Sequence, residues 1–183
     1  MREHANILIA EGDGALAGRI EQTLRAVGHA CTIATGAGDA VELAKSGNFE
    51  VIITNLRMDA GAGELVLKVA RASRPDCQVI CLADERRPAD AVAAMTQGAM
   101  TYLEKPLNMQ ELAAVVERAG DYVALVRDRR ALQDLLAFVK GHDSSLAVNL
   151  VVLRSLEKAQ YAPLHVGHFA LASTHYCHFT SPI

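Results

Sequence analysis

No stretch of these 183 residues approaches the ~18 consecutive apolar residues that a membrane span requires. The opening "MREHANILIAEGDG" reaches Glu11 before a signal-type apolar region can form, so a cytoplasmic protein with no membrane segment is expected. GxSxG, P-loop and HExxH patterns are missing as well, which leaves serine-hydrolase, nucleotide-triphosphatase and zinc-protease chemistry unsupported. Cysteine is scarce and badly spaced for zinc or redox work: Cys31, Cys77, Cys81 and Cys177 form no CxxC. Cys77 and Cys81 fall in one expected strand, ~13 Å apart at ~3.3 Å per residue, too far for a disulfide. They read as small buried hydrophobes in a reducing compartment. Charge is not one-sided either. A formal net charge of -3 gives no footprint for nucleic acid, although "RDRR" at 127–130 is locally basic.

What is present is an ordinary globular composition, 51% hydrophobic and 21% charged, so the chain should fold. From Ala5 to Ala119 strand-length apolar runs alternate with helix-period segments, the pattern of an α/β fold on a parallel sheet. The expected strands are 5–10, 30–35, 50–54, 78–82 and 100–103. They are nearly continuous in Val, Ile and Leu, as strands covered on both faces should be. Between them, Leu16, Ile20, Leu24 and Val27, then Leu65, Val66, Val69 and Ala70, recur at helical spacing. Gly28, Gly47 and Gly98 stand where helices should end.

A fifth helix is expected from a cap at Asn108, with Glu111 three residues on, toward Gly141. It is either one rod suited to dimerisation or two helices bent at Arg127 to Arg130. The expected division is a domain at 1–121, an extended helical linker at 122–143 and a helical tail at 144–183.

In open α/β sheets ligands bind beyond the carboxyl ends of the strands. There stand Glu11, Gly12 and Asp13 after the first strand, Asn55 after the third, Ala83 and Asp84 after the fourth, and Glu104, Lys105 and Pro106 after the fifth.

These residues and their spacing resemble the receiver domain of two-component response regulators, across about residues 5–119. "ITNLRM" looks like the family's "ITDLRM" and "YLEKP" like its "YLTKP". The resemblance implies a flavodoxin-like sheet of order 2-1-3-4-5 and an aspartate that accepts a phosphoryl group from a histidine kinase. It also implies Mg²⁺ held by that aspartate and an acidic pair, a sensing Thr or Ser, a switching aromatic and a lysine before a cis proline.

Carried over position by position, Asn55 stands where the phosphoacceptor belongs, and an amide oxygen cannot form an acyl phosphate. Gly12 stands for the second acid of the pair, leaving Glu11. Ala83 replaces the sensing hydroxyl, and Asp59 takes the place of a common proline. Lys105, Pro106 and Tyr102 are kept. Mg²⁺ binding is expected to be weak or absent, with Asp13, Asp59 or Asp84 as substitute acids and Asp13 equally a helix cap. Lys105 is expected to pair with Glu11 or Asp84 and close the crevice. Tyr102 either keeps a switching role or packs beneath the last helix.

The expected function is a pseudo-receiver: a non-enzymatic regulatory module acting on a protein partner, or on itself as a homodimer, through its fourth helix, fifth strand and fifth helix. An alternative is a receiver phosphorylated on another acid. A second, the Gly12, Gly14, Gly18 pattern as part of an NAD(P) enzyme, lacks an acid for the ribose after the second strand.

In the tail, His165, His168, His175 and His178 fall within one broad helical arc, weak candidates for metal ligands beside the alternative of a histidine-rich amphipathic end. "SLEKAQYAPLHVGHFALA" is similar to the opening of the HD-GYP phosphodiesterase domain. No HD dyad or GYP motif follows it, so phosphodiesterase activity is not expected.

Overall fold

The computed structural model describes residues 4–84 and 88–141, without the side chains of residues 60, 84, 88 and 139–141. Five strands, β1 (Asn6–Ala10), β2 (Ala30–Ala34), β3 (Val51–Asn55), β4 (Gln78–Asp84) and β5 (Thr101–Lys105), make one parallel sheet in the order β2-β1-β3-β4-β5. This is the flavodoxin-like order, and its β1/β3 switch point opens a crevice above Ala10 and Asn55. Between the strands run α1 (Gly14–Ala26), α2 (Ala37–Ser46), α3 (Ala62–Ser73) and α4 (Pro88–Thr96), with α5 (Met109–Gly141) after β5.

Strand alternation sorts the core into two layers. Ile7, Ile9, Ile53 and Leu82 pack against Ile20 and Leu24 of α1 and Leu112 and Val116 of α5. Leu8, Ile52, Val79 and Cys81 face the other way, onto Ala40 and Ala44 of α2, Val66 and Leu67 of α3 and Ala94 of α4. Both faces are covered at the centre of the sheet, which is why the middles of β1, β3 and β4 are continuous in Ile, Leu and Val.

Local chemistry sets the helix starts. The carboxylate of Asp13 accepts from the amides of Ala15 and Leu16 and caps α1. Pro88 occupies the first position of α4, where its missing N–H costs nothing. The Asn108 side chain accepts from the amides of Gln110 and Glu111, so the expected cap of the fifth helix is in place.

Several expectations need correction. Leu65 is 48% exposed although its spacing assigned it to the buried stripe; Val66, Leu67 and Ala70 form that stripe instead, because α3 is rotated to bring Ala62 and Gly63 onto the sheet. Val27 is the cap residue beyond α1 and is 44% exposed. Gly28 and Gly98 adopt the expected left-handed backbone, with φ of 99° and 94°, whereas Gly47 ends α2 in an extended conformation, φ -75°. There its lack of a side chain serves packing: a Cβ would come 2.1 Å from the Phe49 ring. The helical hydrogen bonding of α5 continues through Arg127 to Arg130, so the segment is one helix in sequence and not two. Cys31, Cys77 and Cys81 are free thiols; burial pushes Cys31 and Cys77 up to about 11 and Cys81 to about 12, which makes them poor nucleophiles.

The chain divides into a compact unit, Met1–Arg129, and a second that begins at Arg130, whose described part is the remaining turns of α5. No helix among the described residues is long and apolar enough to cross a membrane.

Candidate functional site

Glu11 follows β1 at the floor of the crevice and is only 1% exposed. A buried carboxylate needs partners for both oxygens, and it has them. Its Oε1 accepts from Nδ2 of Asn55 at 2.9 Å and from the backbone N–H of Asp13 at 3.1 Å. Its Oε2 accepts from Nζ of Lys105 at 2.6 Å. Glu11, one of the two acids considered as partners for Lys105, is thus bound to it; the side chain of Asp84 lies outside the described residues.

Asn55 ends β3, and both halves of its amide are used. The Nδ2 group donates to Glu11, and Oδ1 accepts from the backbone N–H of Arg57 at 2.9 Å. An aspartate at this place could not donate and would set a second negative charge against Glu11. The crevice is therefore built around the neutrality and donor capacity of an amide.

Arg57 carries the chain of contacts outward. Its Nε and Nη2 each donate at 2.8 Å to the carboxylate of Asp90, in the first turn of α4. A continuous set of polar contacts thus links β5, β1, β3 and α4 through Lys105, Glu11, Asn55, Arg57 and Asp90. Sequence reasoning assigned no role to Arg57 or Asp90, which are 33 residues apart and share no local pattern. It also passed over Gly63, whose hydrogen allows α3 to sit on the end of β3: a Cβ there would lie 1.9 Å from the Asn55 carbonyl oxygen.

The other positions fall as follows. Gly12 has open space, since an added Cβ would be 4.0 Å from its nearest neighbour, the Thr35 carbonyl oxygen. Ala83 is buried in β4 beside Glu104 of β5 and offers no hydroxyl. Asp13 is occupied as the α1 cap. Asp59 is exposed in a single 3-10 turn, Asp59–Gly61, before α3. The Lys105–Pro106 peptide bond is cis. Tyr102 is 39% exposed on β5.

The donor set does not suit Mg²⁺, which asks for several oxygen ligands in octahedral array. Of the three positions where acids were expected, Glu11 is the one that carries a carboxylate, and both of its oxygens are engaged by N–H donors. No group of three or more potential metal ligands occurs among the described residues. His165, His168, His175 and His178 lie outside them.

Comparison with known proteins settles the family. The response regulator receiver domain model matches residues 7–117. The chain belongs to the response regulator receiver family. It is 32% identical over 119 residues to the acid tolerance regulatory protein ActR of Rhizobium meliloti, a match covering 64% of this chain and 61% of that protein. Among solved structures, a CheY-like receiver domain protein from Methanospirillum hungatei superposes with a TM-score of 0.62 at 23% identity, covering 67% of this chain and 98% of that one. The chain spans less than two thirds of the length of the curated relatives it matches.

The glycine pattern at Gly12, Gly14 and Gly18 belongs to this receiver's first loop and α1, on a sheet whose order differs from that of the dinucleotide-binding fold.

A second model, the RNB domain, matches residues 83–183. Where the two spans overlap, β4, α4, β5 and the start of α5 stand in receiver order. Ribonuclease R of Thermotoga maritima shares 48% identity with this chain over 52 residues, 28% of this chain and 7% of that enzyme. The tail's likeness is thus brought out against the RNB domain, where sequence reasoning had set it beside the HD-GYP opening.

Proposed function

We propose that this receiver is a regulatory module that works without phosphoryl transfer and without Mg²⁺. The observation that carries the reading is the engagement of both Glu11 oxygens by Asn55, Asp13 and Lys105. Phosphoryl chemistry at this place needs an ionised nucleophile and a cation to gather charge; here an amide stands for the first, and the carboxylate that would help hold the second is engaged by Lys105. Asp59, the alternative acceptor, is exposed on the 3-10 turn before α3.

Signalling then rests on protein contact. The exposed side chains Val92 and Met95 of α4 and Tyr102 of β5 give the α4, β5 and α5 face apolar handles for a partner protein, of which a histidine kinase is one kind. The module would act in the cytoplasm and as a homodimer. It is not proposed to be an enzyme.

A second reading comes from the RNB match: the C-terminal part would contact RNA, the substrate class named by its ribonuclease relatives, without cutting it. Retardation of labelled single-stranded RNA by the full chain, absent from a chain ending at residue 141, supports it; no retardation removes it.

The main reading is tested by amide spectra of the labelled chain titrated with Mg²⁺ and then with beryllofluoride, which mimics an aspartyl phosphate. No change at Gly12, Asn55 or Ala83 at millimolar Mg²⁺ is expected. Saturable shifts at those residues would overturn it.

A further inference from the structure

At the N-terminal ends of the strands, opposite the crevice, charged groups gather against α5. His29 stands just before β2 and is 8% exposed. Its Nδ1 accepts from the backbone N–H of Ala5 at 3.2 Å, which fixes the neutral tautomer: Nδ1 is bare and the ring proton sits on Nε2. That Nε2 is buried and has no hydrogen-bond partner among the described residues. Neutral His29 thus holds a donor without an acceptor. Glu117 of α5, His4 ahead of β1 and Glu50 ahead of β3 are the charged groups that act on the ring, Glu117 most strongly. The His4 ring lies over Gly28, where an added Cβ would be 2.5 Å from it. Arg25, in the last turn of α1, is turned to Glu21 and to the Cys31 carbonyl oxygen. Glu50 is a junction: its Oε2 accepts from the N–H of Asn6 at 2.9 Å and its Oε1 from Nη1 of Arg127 at 3.2 Å. Ala5 and Asn6, adjacent in the chain, therefore tie the start of β1 to His29 and, through Glu50, to α5.

We propose that His29 is an acid-operated switch between β1 and α5: on taking a proton from solvent, its ring gives up the Ala5 N–H and donates to Glu117. Donor count forces the exchange. Protonated imidazole donates from both nitrogens, so Nδ1 and the Ala5 N–H would point one proton at another. A buried charge also needs a charged acceptor. Of the two carboxylates, Glu50 holds Asn6 and Arg127, and Glu117 exerts the stronger pull. Release of Ala5 loosens its neighbour Asn6, and with it the Glu50 to Arg127 pair, while a new charge pair forms nearer the start of α5. Acid thereby changes which residue of α5 is held to the sheet. The transition belongs below pH 6.5, because burial disfavours the charged ring. The device lies away from the crevice and goes beyond the reading above, since it holds whether or not Asn55 bars phosphoryl transfer.

The test follows the labelled full chain by NMR from pH 7.5 to 5, above the usual carboxylate range. The His29 Cε1–H resonance and the amides of Ala5, Asn6, Glu117 and Arg127 should move on one curve. In His29→Asn, whose Oδ1 can accept from Ala5 in place of Nδ1, the spectrum at pH 7.5 should be kept and the acid shifts lost. Glu117→Gln should lower the ring's midpoint by about half a unit or more and hold the Arg127 amide still. His4→Gln should raise the midpoint, because a like charge is removed. Amides of Glu117 and Arg127 that stay in place while the ring titrates would overturn the proposal. So would the same curve in His29→Asn, a midpoint indifferent to Glu117→Gln, or a ring that stays neutral until the chain unfolds. Each of these leaves the Mg²⁺ and beryllofluoride titration as it was.

Discussion

The side-chain amide of Asn55 donates a 2.9 Å hydrogen bond to the buried carboxylate of Glu11. That one bond fixes the character of the crevice, because the same two positions occupied by two carboxylates would repel across the same distance. Replacing Asn55 by Asp restores a nucleophile and removes a donor in one step. Asn55→Asp should therefore lower stability by about 1–3 kcal/mol in the absence of divalent ions. Millimolar Mg²⁺ should return part of the loss, read as a rise in melting temperature that wild type does not show.

Gly12 decides how complete that recovery is. The nearest atom to an added Cβ is 4.0 Å away, so a side chain can begin there without a close contact. Gly12→Asp combined with Asn55→Asp should bind Mg²⁺ at least tenfold more tightly than Asn55→Asp alone, by calorimetric titration. Equal affinities would mean that position 12 does not face the cation.

Lys105→Ala leaves a carboxylate that is 1% exposed without its cation. Breaking a buried pair costs about 3–5 kcal/mol. The Asn55 and Asp13 donors remain, so the lower end is expected, a fall in melting temperature on the order of 10 °C. Lys105→Arg should recover much of it. An unchanged melting temperature for Lys105→Ala would remove the lock from the account.

The Arg57 to Asp90 pair is bidentate but lies at the surface, with the Arg57 side chain 48% exposed. Such a pair contributes under about 1 kcal/mol to global stability. Its effect should be local: Asp90→Ala should leave the melting temperature within a few degrees while amide exchange in α4 rises several-fold.

His29 supplies the pH dependence. Its Nδ1 accepts from the backbone N–H of Ala5 at 3.2 Å, and its buried Nε2 has no hydrogen-bond partner among the described residues. Burial pulls its pKa below 6.5, against the raising influence of Glu117 and Glu50, with His4 adding to the lowering. Protonating Nδ1 would also break the Ala5 bond. The unfolded chain then takes up the proton more readily than the folded one, so stability falls as pH drops below 6.5 and levels off beneath the folded value. His29→Gln should flatten the melting-temperature profile between pH 7.5 and 5.5.

How much of this was legible in the sequence depended on how local each signal is. The five strands followed from apolar runs, their 2-1-3-4-5 order from the resemblance to the receiver family, and the neutral Asn55 stood in plain view at a strand end. The Lys105 to Glu11 pair was narrowed to two acids, because the sheet order brings both near β5 but only coordinates choose between them. Leu65 was misplaced because periodicity gives a stripe's width and not its rotation; Gly63 sets that rotation by contact with β3. The Arg57 and Asp90 pair left no trace, being made by folding between distant segments. In the tail, histidine spacing was read as a possible metal arc, while the RNB likeness depends on a long match that spacing alone does not reveal.

The most direct test of the central claim is the intact mass of the full chain after incubation with Mg²⁺ and a small phosphodonor, beside the Gly12→Asp, Asn55→Asp double variant. Wild type should stay at its own mass while the double variant gains one phosphoryl group. A phosphoryl group on wild type would move the chemistry to another acid, Asp59 first, and contradict a receiver that works without it.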